Sequence, residues 1–540
     1  MTACPESVNR GANKVVMNKI PGSAFDISRR IALAGLSAAL LFLSLPDPDQ
    51  GRLAWIVLVP LLIACRGLGP VQSCWIGLFY GLLANLFVFS WILHVPGFRY
   101  HHCGMAAFYL ALYPAAWCGG LALLARTKLP RLLVAPSLWV SLDFIKAHAG
   151  FLALPWASLA YTQHENLPLL QIMTITGEYG VTFLLVMANS AVYELIFNRT
   201  WRRAAAVLVL IPGFWAWGTW ELSQTPSSRN VLAAVIQPGI LLTERQTASG
   251  RLASLQRLEK LTRDAARQNP AFIVWPETAL RGFPNDPIQT EQVKKLVRSI
   301  HIPLILGTSE YEKFSLPADP VTHTIKLGTR SYNSAYLVTP DGTLSTPYRK
   351  RRLVPFAEYL PGQPDLNWPH WIVHKSFNIL PGNQPGYVFP ERDLKIALII
   401  CWENLFPDFI RPLTENGVAV IVQLTNDNHF GLSAAPRQHN IASRFRAVEN
   451  RVPVVVASNT GPSVIFDSFG RPVALIDRLF SSGTATGLIS RGSGGTCYTL
   501  YGDVFAYGCS CITLLWLYFA IRGDRFKPRG NTAGKPDSDS

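Results

Sequence analysis

Charge is what this sequence has least of. Asp, Glu, Lys and Arg together make up 15% of its 540 residues, against roughly 25% in an ordinary soluble domain, while 49% are hydrophobic. A chain of this length has room for more than one domain, and the deficit excludes a soluble composition throughout. Acidic residues are the scarcer sign, 34 against 49 basic ones, leaving a net charge of +15. Such a balance suits nucleic acid or an anionic membrane surface. No RNP-like, helix-turn-helix or zinc-finger pattern is present, and the basic residues cluster at the ends of apolar segments, so the membrane is read as the partner and nucleic acid is not. The nine cysteines form no CxxC pair and carry no metal-ligand spacing. His101-His102-Cys103 stands in a short polar loop without a second cluster, so neither a metal nor a cofactor is expected. There is no internal repeat and no long low-complexity run.

The N-terminal half explains the missing charge. Apolar segments fall near 31–46, 53–65, 73–94, 105–125, 132–152, 168–197 and 204–222, with an eighth near 500–521. Most approach the ~20 residues a helix needs to cross the hydrocarbon of a bilayer. The first two are short and read as a helical hairpin; the fifth carries Asp143 and Lys146, charges that are costly inside a span. Small-x-small triplets such as Ala32-Leu33-Ala34 open the first run instead of following it, so it reads as an uncleaved helix, not a signal peptide. Alternate loops hold Arg66; then Arg126, Lys128 and Arg131; then Arg199, Arg202 and Arg203, and the final tail holds Arg522, Arg525, Lys527 and Arg529. The opposite loops hold little beyond Arg52 and Arg99. Basic loops face the cytoplasm. The expected organisation is a cytoplasmic basic tail over 1–30, a seven-span domain over 31–222, an external domain over 223–496, a C-terminal span over 497–522 and a disordered cytoplasmic tail over 523–540.

The external region alternates strand and helix signals, as an α/β layered domain does. Strands are expected at 231–236, 271–275, 302–306, 335–338, 396–400, 418–424, 452–457, 463–466 and 472–476. Helices are expected at 244–268, where Leu252, Leu255, Leu258 and Leu261 recur every third residue, and at 436–450.

Three stretches carry candidate chemistry. The apolar run Ile396–Ile400 reads as a buried strand ending on Cys401, followed by Trp402 and Glu403. A buried cysteine is often only a small hydrophobe, but the end of such a strand is where α/β folds place reactive groups. A second strand, Ala271–Trp275, ends on Pro276-Glu277. In a third stretch Tyr348-Arg349-Lys350 precedes Leu353-Val354-Pro355-Phe356-Ala357-Glu358. A thiol needs a base to become a thiolate, and a carbonyl under attack needs a cation or N–H donors. Glu277, Lys350 and Cys401 supply these types.

Together, in the order Glu, Lys, Cys, these motifs resemble the nitrilase superfamily, as does Thr425-Asn426-Asp427 with Phe430-Gly431. The resemblance spans about 230–490 and implies an α-β-β-α sandwich. With seven spans before it and one after, and with Pro155-Trp156, Tyr161 and Gln163 between spans, the chain resembles the apolipoprotein N-acyltransferases. That resemblance implies a catalytic domain in the periplasm, on the bacterial inner membrane. It also implies a phospholipid acyl donor, a diacylated apolipoprotein acceptor and a thioester on Cys401, with Glu277 as base, Lys350 as oxyanion partner, and Glu358 and Glu403 orienting them. Three departures stand out: Trp402 where the family has tyrosine, His429 where it has tryptophan, and no tryptophan near Gln246. A membrane-tethered amidase using the same residues is the alternative. Finally, residues 361–381 open on Pro361, Gly362 and Pro364 and close on Pro381-Gly382, enclosing Trp368, Trp371, Ile372, Val373 and Phe377 with His370, His374 and Lys375. Tryptophan beside basic residues suits the membrane interface, so this arm is expected on the membrane face, as a lid.

Overall fold

The apolar segments become helices because a helix satisfies all its backbone N–H and C=O groups within one segment, as hydrocarbon requires. The computed structural model describes residues 24–124, 130–198, 201–224, 230–315, 327–362, 365–373, 378–415 and 417–525. The tail before residue 24, Arg126 and Lys128, Arg199, the arm's Pro364, His374, Lys375 and Phe377, and the tail with Lys527 and Arg529 lie outside them.

The N-terminal part runs through α1 (Ala24–Ser44), α2 (Val59–Ala64), α3 (Pro70–Val88), α4 (Tyr100–Leu124), α5 (Arg131–Ala147), the single turns α6 (Leu167–Leu170) and α7 (Met173–Thr176), α8 (Glu178–Asn198) and α9 (Trp201–Ser223). Among the described residues, five helices are long and apolar enough to cross a bilayer: Asp26–Ser44, Pro70–Val88, Tyr100–Leu124, Glu178–Phe197 and Ala204–Ser223. Two expected segments are subdivided. Residues 51–64 form a 3-10 turn leading into α2, and the segment at 168–197 is broken before α8, where Gly177 takes φ +63°. Helices α3 and α4 approach closely because their contact is made of small residues. A Cβ on Gly77 would lie 2.6 Å from the Pro114 carbonyl oxygen, and one on Gly81 would lie 2.7 Å from Ala111 Cα.

The second part is built of β1 (Asn230–Gln237), α10 (Ala248–Ala266), β2 (Phe272–Val274), β3 (Leu280–Arg281), α11 (Pro287–Ile300), β4 (Leu304–Ser315), β5 (Leu327–Val338), β6 (Tyr348–Arg349), β7 (Gly386–Val388), β8 (Ile396–Ile400), α12 (Pro407–Thr414), β9 (Val420–Thr425), α13 (Ala435–Asn450), β10 (Val454–Ser458), β11 (Ser463–Phe466), β12 (Pro472–Ile476) and β13 (Gly483–Ser490). One sheet has the order β13-β1-β2-β4-β5-β6, with β3 on β4; the other has β12-β11-β10-β9-β8-β7. Apolar residues of both sheets, among them Val235, Val274, Leu398 and Val422, form the core between them. Outside the first sheet, α10 and α11 cover Trp275 and Leu304; outside the second, α12 and α13 cover Ile399 and Val456. The layers are therefore α-β-β-α. After β13 come α14 (Cys497–Tyr501) and α15 (Val504–Arg525), the last of the described residues.

The expected leucine stripe on α10 is corrected in part. Leu255 and Leu258 are buried and Leu261 packs beside them, but Leu252 is 52% exposed. Steps of three residues fall about 60° short of a full helical turn each time, so a four-member stripe drifts off the covered face.

The two parts share one core. Leu405, Phe406, Ile441 and Phe445 of the α/β domain join the apolar cluster that holds Trp117, Leu138, Tyr161 and Leu185 of the helical domain. Between them lies α13, polar in sequence yet buried over nearly its whole length. Gln438 accepts from the Trp156 indole N–H at 2.9 Å, and the His439 ring stacks on Trp156 at 17° between planes. Arg446 is paired with Glu178 of α8 and with Glu449, each at 2.8 Å. The loop Pro155-Trp156 to Tyr161, picked out in the sequence, is thus a docking element for α13, and Tyr161 packs edge-on against Phe445.

Candidate active site

Each candidate residue follows a strand. Strands β1, β2 and β4 run parallel, as do β8, β9 and β10, so their C-terminal ends gather on one side, where such sheets carry their sites. Glu277 follows β2, Lys350 follows β6, Cys401 follows β8 and Asp427 follows β9.

Lys350 is the centre of the cluster. It is 1% exposed, and its Nζ donates to Glu358 Oε1 at 2.9 Å and lies 3.9 Å from Glu277 Oε1. Burial works against its charge, but Cys401 in its thiolate form and the Glu358 and Glu277 carboxylates outweigh it, holding the ammonium well above the ordinary lysine value. Asn333 of β5, which the motifs do not contain, joins the two carboxylates. Its Nδ2 donates to Glu277 Oε1 at 2.6 Å and reaches Glu358 Oε1 at 3.5 Å. Its main-chain carbonyl accepts the Lys350 N–H at 2.8 Å. The only sequence signal for Asn333 is one amide within an otherwise strand-forming run.

Burial raises the Glu277 carboxyl above the ordinary range; Lys350 and the Asn333 hydrogen bond oppose it, and Glu358 adds to it. Burial also pushes the Cys401 thiol well up, Glu277 adds to that, and Lys350 pulls it back. The thiol is therefore protonated at rest, within electrostatic reach of the Glu277 carboxyl and the Lys350 ammonium.

Backbone strain marks the same place. Cys401, Thr278 and Phe356 have φ of +55°, +49° and +63°. Such a conformation costs a non-glycine residue roughly 1–2 kcal/mol and persists where surroundings fix it. Glu403, fully buried, does so for the Cys401 turn. Its Oε2 accepts from the Ile400 N–H at 2.7 Å and the Tyr348 hydroxyl at 2.8 Å, and its Oε1 accepts from the Arg351 and Arg352 N–H groups at 2.8 and 3.0 Å. Glu403 thereby ties the Cys401 turn to the Lys350 loop. Trp402 adds an indole bond to the Arg352 carbonyl at 2.6 Å. Glu358 holds its own loop through the Val354 N–H at 2.7 Å. Arg245 grips Thr278, donating to its carbonyl at 2.9 Å and its hydroxyl at 2.7 Å. Burial pushes Arg245 down to about 10, which leaves it charged.

Gln246 and His429 are exposed, His429 within electrostatic reach of Arg245, Asp427 and Glu358. Trp368 packs on the loop after Lys350: its ring stands 4.9 Å from that of Phe356 and 6.3 Å from that of Phe151 after α5. Trp371 is exposed and its carbonyl contacts His101 at the start of α4.

Residues 232–498 match the carbon-nitrogen hydrolase family, and residues 37–191 match the apolipoprotein N-acyltransferase N-terminal domain. An apolipoprotein N-acyltransferase of Geobacter metallireducens is 34% identical over 505 residues, covering 89% of this chain and 93% of its own. The chain belongs to the apolipoprotein N-acyltransferase family. The Chlorobaculum tepidum apolipoprotein N-acyltransferase is 26% identical over 538 residues, with 91% and 96% covered. Among solved structures, Saccharomyces cerevisiae Nit3, a nitrilase-superfamily member, is 18% identical with a TM-score of 0.37, covering 49% of this chain and 93% of its own. As an apolipoprotein N-acyltransferase family member, the chain joins a bundle of apolar helices to a nitrilase-like α/β domain. The stretch that carries the α/β match begins in β1 and ends in α14, so it contains Glu277, Lys350 and Cys401.

Proposed function

We propose that this membrane protein moves an acyl chain from a phospholipid to the α-amine of an S-diacylglyceryl cysteine at the N-terminus of an apolipoprotein. The observation that carries the reading is the buried Lys350 between two carboxylates and a thiol, with the turn that follows the thiol sending Leu405 and Phe406 into the core of the membrane domain. In the first half-reaction Glu277 takes the Cys401 proton and the sulfur attacks the ester carbonyl. Lys350 and the Trp402 N–H bear the negative charge on the carbonyl oxygen. Collapse expels the lysophospholipid alkoxide, which leaves with the proton from Glu277. In the second half the acceptor amine attacks the thioester carbonyl, Glu277 takes the amine proton, and the departing thiolate recovers it. The amide is formed and the enzyme is regenerated, which predicts ping-pong kinetics.

Both substrates are lipids, so the site must open toward the bilayer. The Lys/Arg asymmetry supports seven spans before the catalytic domain and one after it, with that domain outside the cytoplasmic membrane. The arm at 361–381 is the proposed lid. Trp368 seats it on the catalytic loop, and the exposed Trp371 lies beside the first turn of α4.

Purified protein incubated with phospholipid and a diacylated lipopeptide should yield lipopeptide heavier by one acyl chain at its α-amine. Release of free fatty acid with the peptide unchanged would overturn the transfer and point to hydrolysis.

A further inference from the structure

Gln423 is a lone amide in a buried apolar strand. Its neighbours on β9 are Val420, Ile421, Val422 and Leu424, and it pairs with Ile399 on the nucleophile strand. A fully buried amide is tolerated when its polar atoms are paired, and the partners of Gln423 lead to the nucleophile. Its Nε2 donates to the Cys401 carbonyl oxygen at 3.0 Å, and its Oε1 accepts from the Ser443 hydroxyl of α13. Ser443 Oγ in turn accepts from Asn404 Nδ2 at 2.8 Å. Asn404 belongs to the same short turn that starts at Cys401. Three side chains thus close a ring around one peptide group, the one between Cys401 and Trp402.

That peptide is trans, so its N–H points opposite its C=O. Anchoring the oxygen against Gln423 fixes the Trp402 N–H on the opposite side of the peptide. The anchor also holds Cys401 in its left-handed conformation, and donation to the carbonyl polarises the peptide, making its N–H a stronger donor.

We propose that Gln423, braced by Ser443, is a positioning residue that sets the direction and strength of the Trp402 N–H as an oxyanion donor. The inference rests on the thioester route above and adds residues that the catalytic motifs do not contain.

The test compares two reactions of one thiol in the full-length protein. Acylation by phospholipid passes through a tetrahedral oxyanion, whereas alkylation by iodoacetamide displaces iodide at a saturated carbon and forms none. Gln423→Leu should slow formation of acyl-Cys401 by roughly 10- to 100-fold, with Cys401 alkylation and its pH profile essentially unchanged. Ser443→Ala keeps the Gln423–Cys401 bond but removes its brace, and should show the same split with a smaller loss. The double variant should be no slower than Gln423→Leu alone. Should Gln423→Leu fail to fold, Ser443→Ala decides the matter by the same split. Unchanged acylation in both variants overturns the proposal. So does a parallel fall in alkylation, which marks Gln423 as structural only. A wild-type protein that never forms a thioester overturns the underlying route instead.

Discussion

The ring nitrogen Nε2 of His101 lies 2.7 Å from the carbonyl oxygen of Trp371, joining the first turn of α4 to the arm. The next residue repeats the contact: His102 Nε2 lies 3.1 Å from the Ile372 carbonyl. His102 Nδ1 accepts from the Arg99 N–H at 2.9 Å, so Nε2 carries the proton and donates. The pair stands in the first turn of α4, not in the polar loop expected from the sequence, and it grips two consecutive carbonyls of the arm. As the arm is the proposed lid, replacing Trp368 and Trp371 together with serine should impair transfer from phospholipid far more than alkylation of Cys401 by a small soluble reagent. Equal loss in both assays would remove the lid from the account.

Glu277 and Lys350 should separate kinetically. Glu277→Gln removes the proposed base, and no thioester should form. Lys350→Met should still bind substrate but acylate slower, losing about 3 kcal/mol of oxyanion stabilisation. Lys350→Arg should not rescue, because a planar fork cannot occupy the space of a compact ammonium. Single-turnover acylation with labelled phospholipid measures all three, and a wild-type rate in Lys350→Met would remove it from this role.

The acid limb of activity should report Glu277, the proposed base. Its carboxyl is held above the ordinary range by burial, so activity should fail on acidification at a pH above that of a free carboxylate. The Asn333 amide donates to the ionised form and lowers this value. Asn333→Leu should move the acid limb of kcat/KM to higher pH. A limb that stays in place or moves down would show that Asn333 does not tune the base.

A second pH effect belongs to stability. Arg446 faces two buried carboxylates, Glu178 and Glu449, and cannot neutralise both. Burial pushes Glu449 up to about 8, against the pull of Arg446. Its folded value stands above its unfolded one, so its contribution is full in acid below the unfolded value and is lost as pH rises toward about 8. Glu449→Gln should flatten the fall in Tm between acid and mildly alkaline pH. An unchanged slope would show that Glu449 is already ionised in the folded protein.

Much of this site was legible in the sequence, because β8 and β2 are short apolar runs and the residue after each run is where the chain leaves the sheet. Cys401 and Glu277 stand where those runs end. Lys350 was legible only through its motif. In the run Arg349-Lys350-Arg351-Arg352 every residue reads as solvated, yet Lys350 alone is fully buried, since the neighbouring arginines find Glu310, Phe409 and Asp408 at the rim. Asn333 and Gln423 were not legible, because their partners Glu277 and Ser443 come from other elements of the chain. Nor was the setting of α13: a helix polar all round reads as a solvated surface, and its burial comes from being held between a sheet and a membrane domain.

The most direct measurement of the central claim is the mass of the Cys401 peptide after incubation with phospholipid alone. The account predicts the addition of one acyl chain, labile to hydroxylamine, that disappears when diacylated lipopeptide is added and reappears on the peptide's α-amine. Neither step should occur in Cys401→Ala. Transfer by Cys401→Ala at the wild-type rate, or transfer by the wild-type enzyme with Cys401 never acylated, would contradict it.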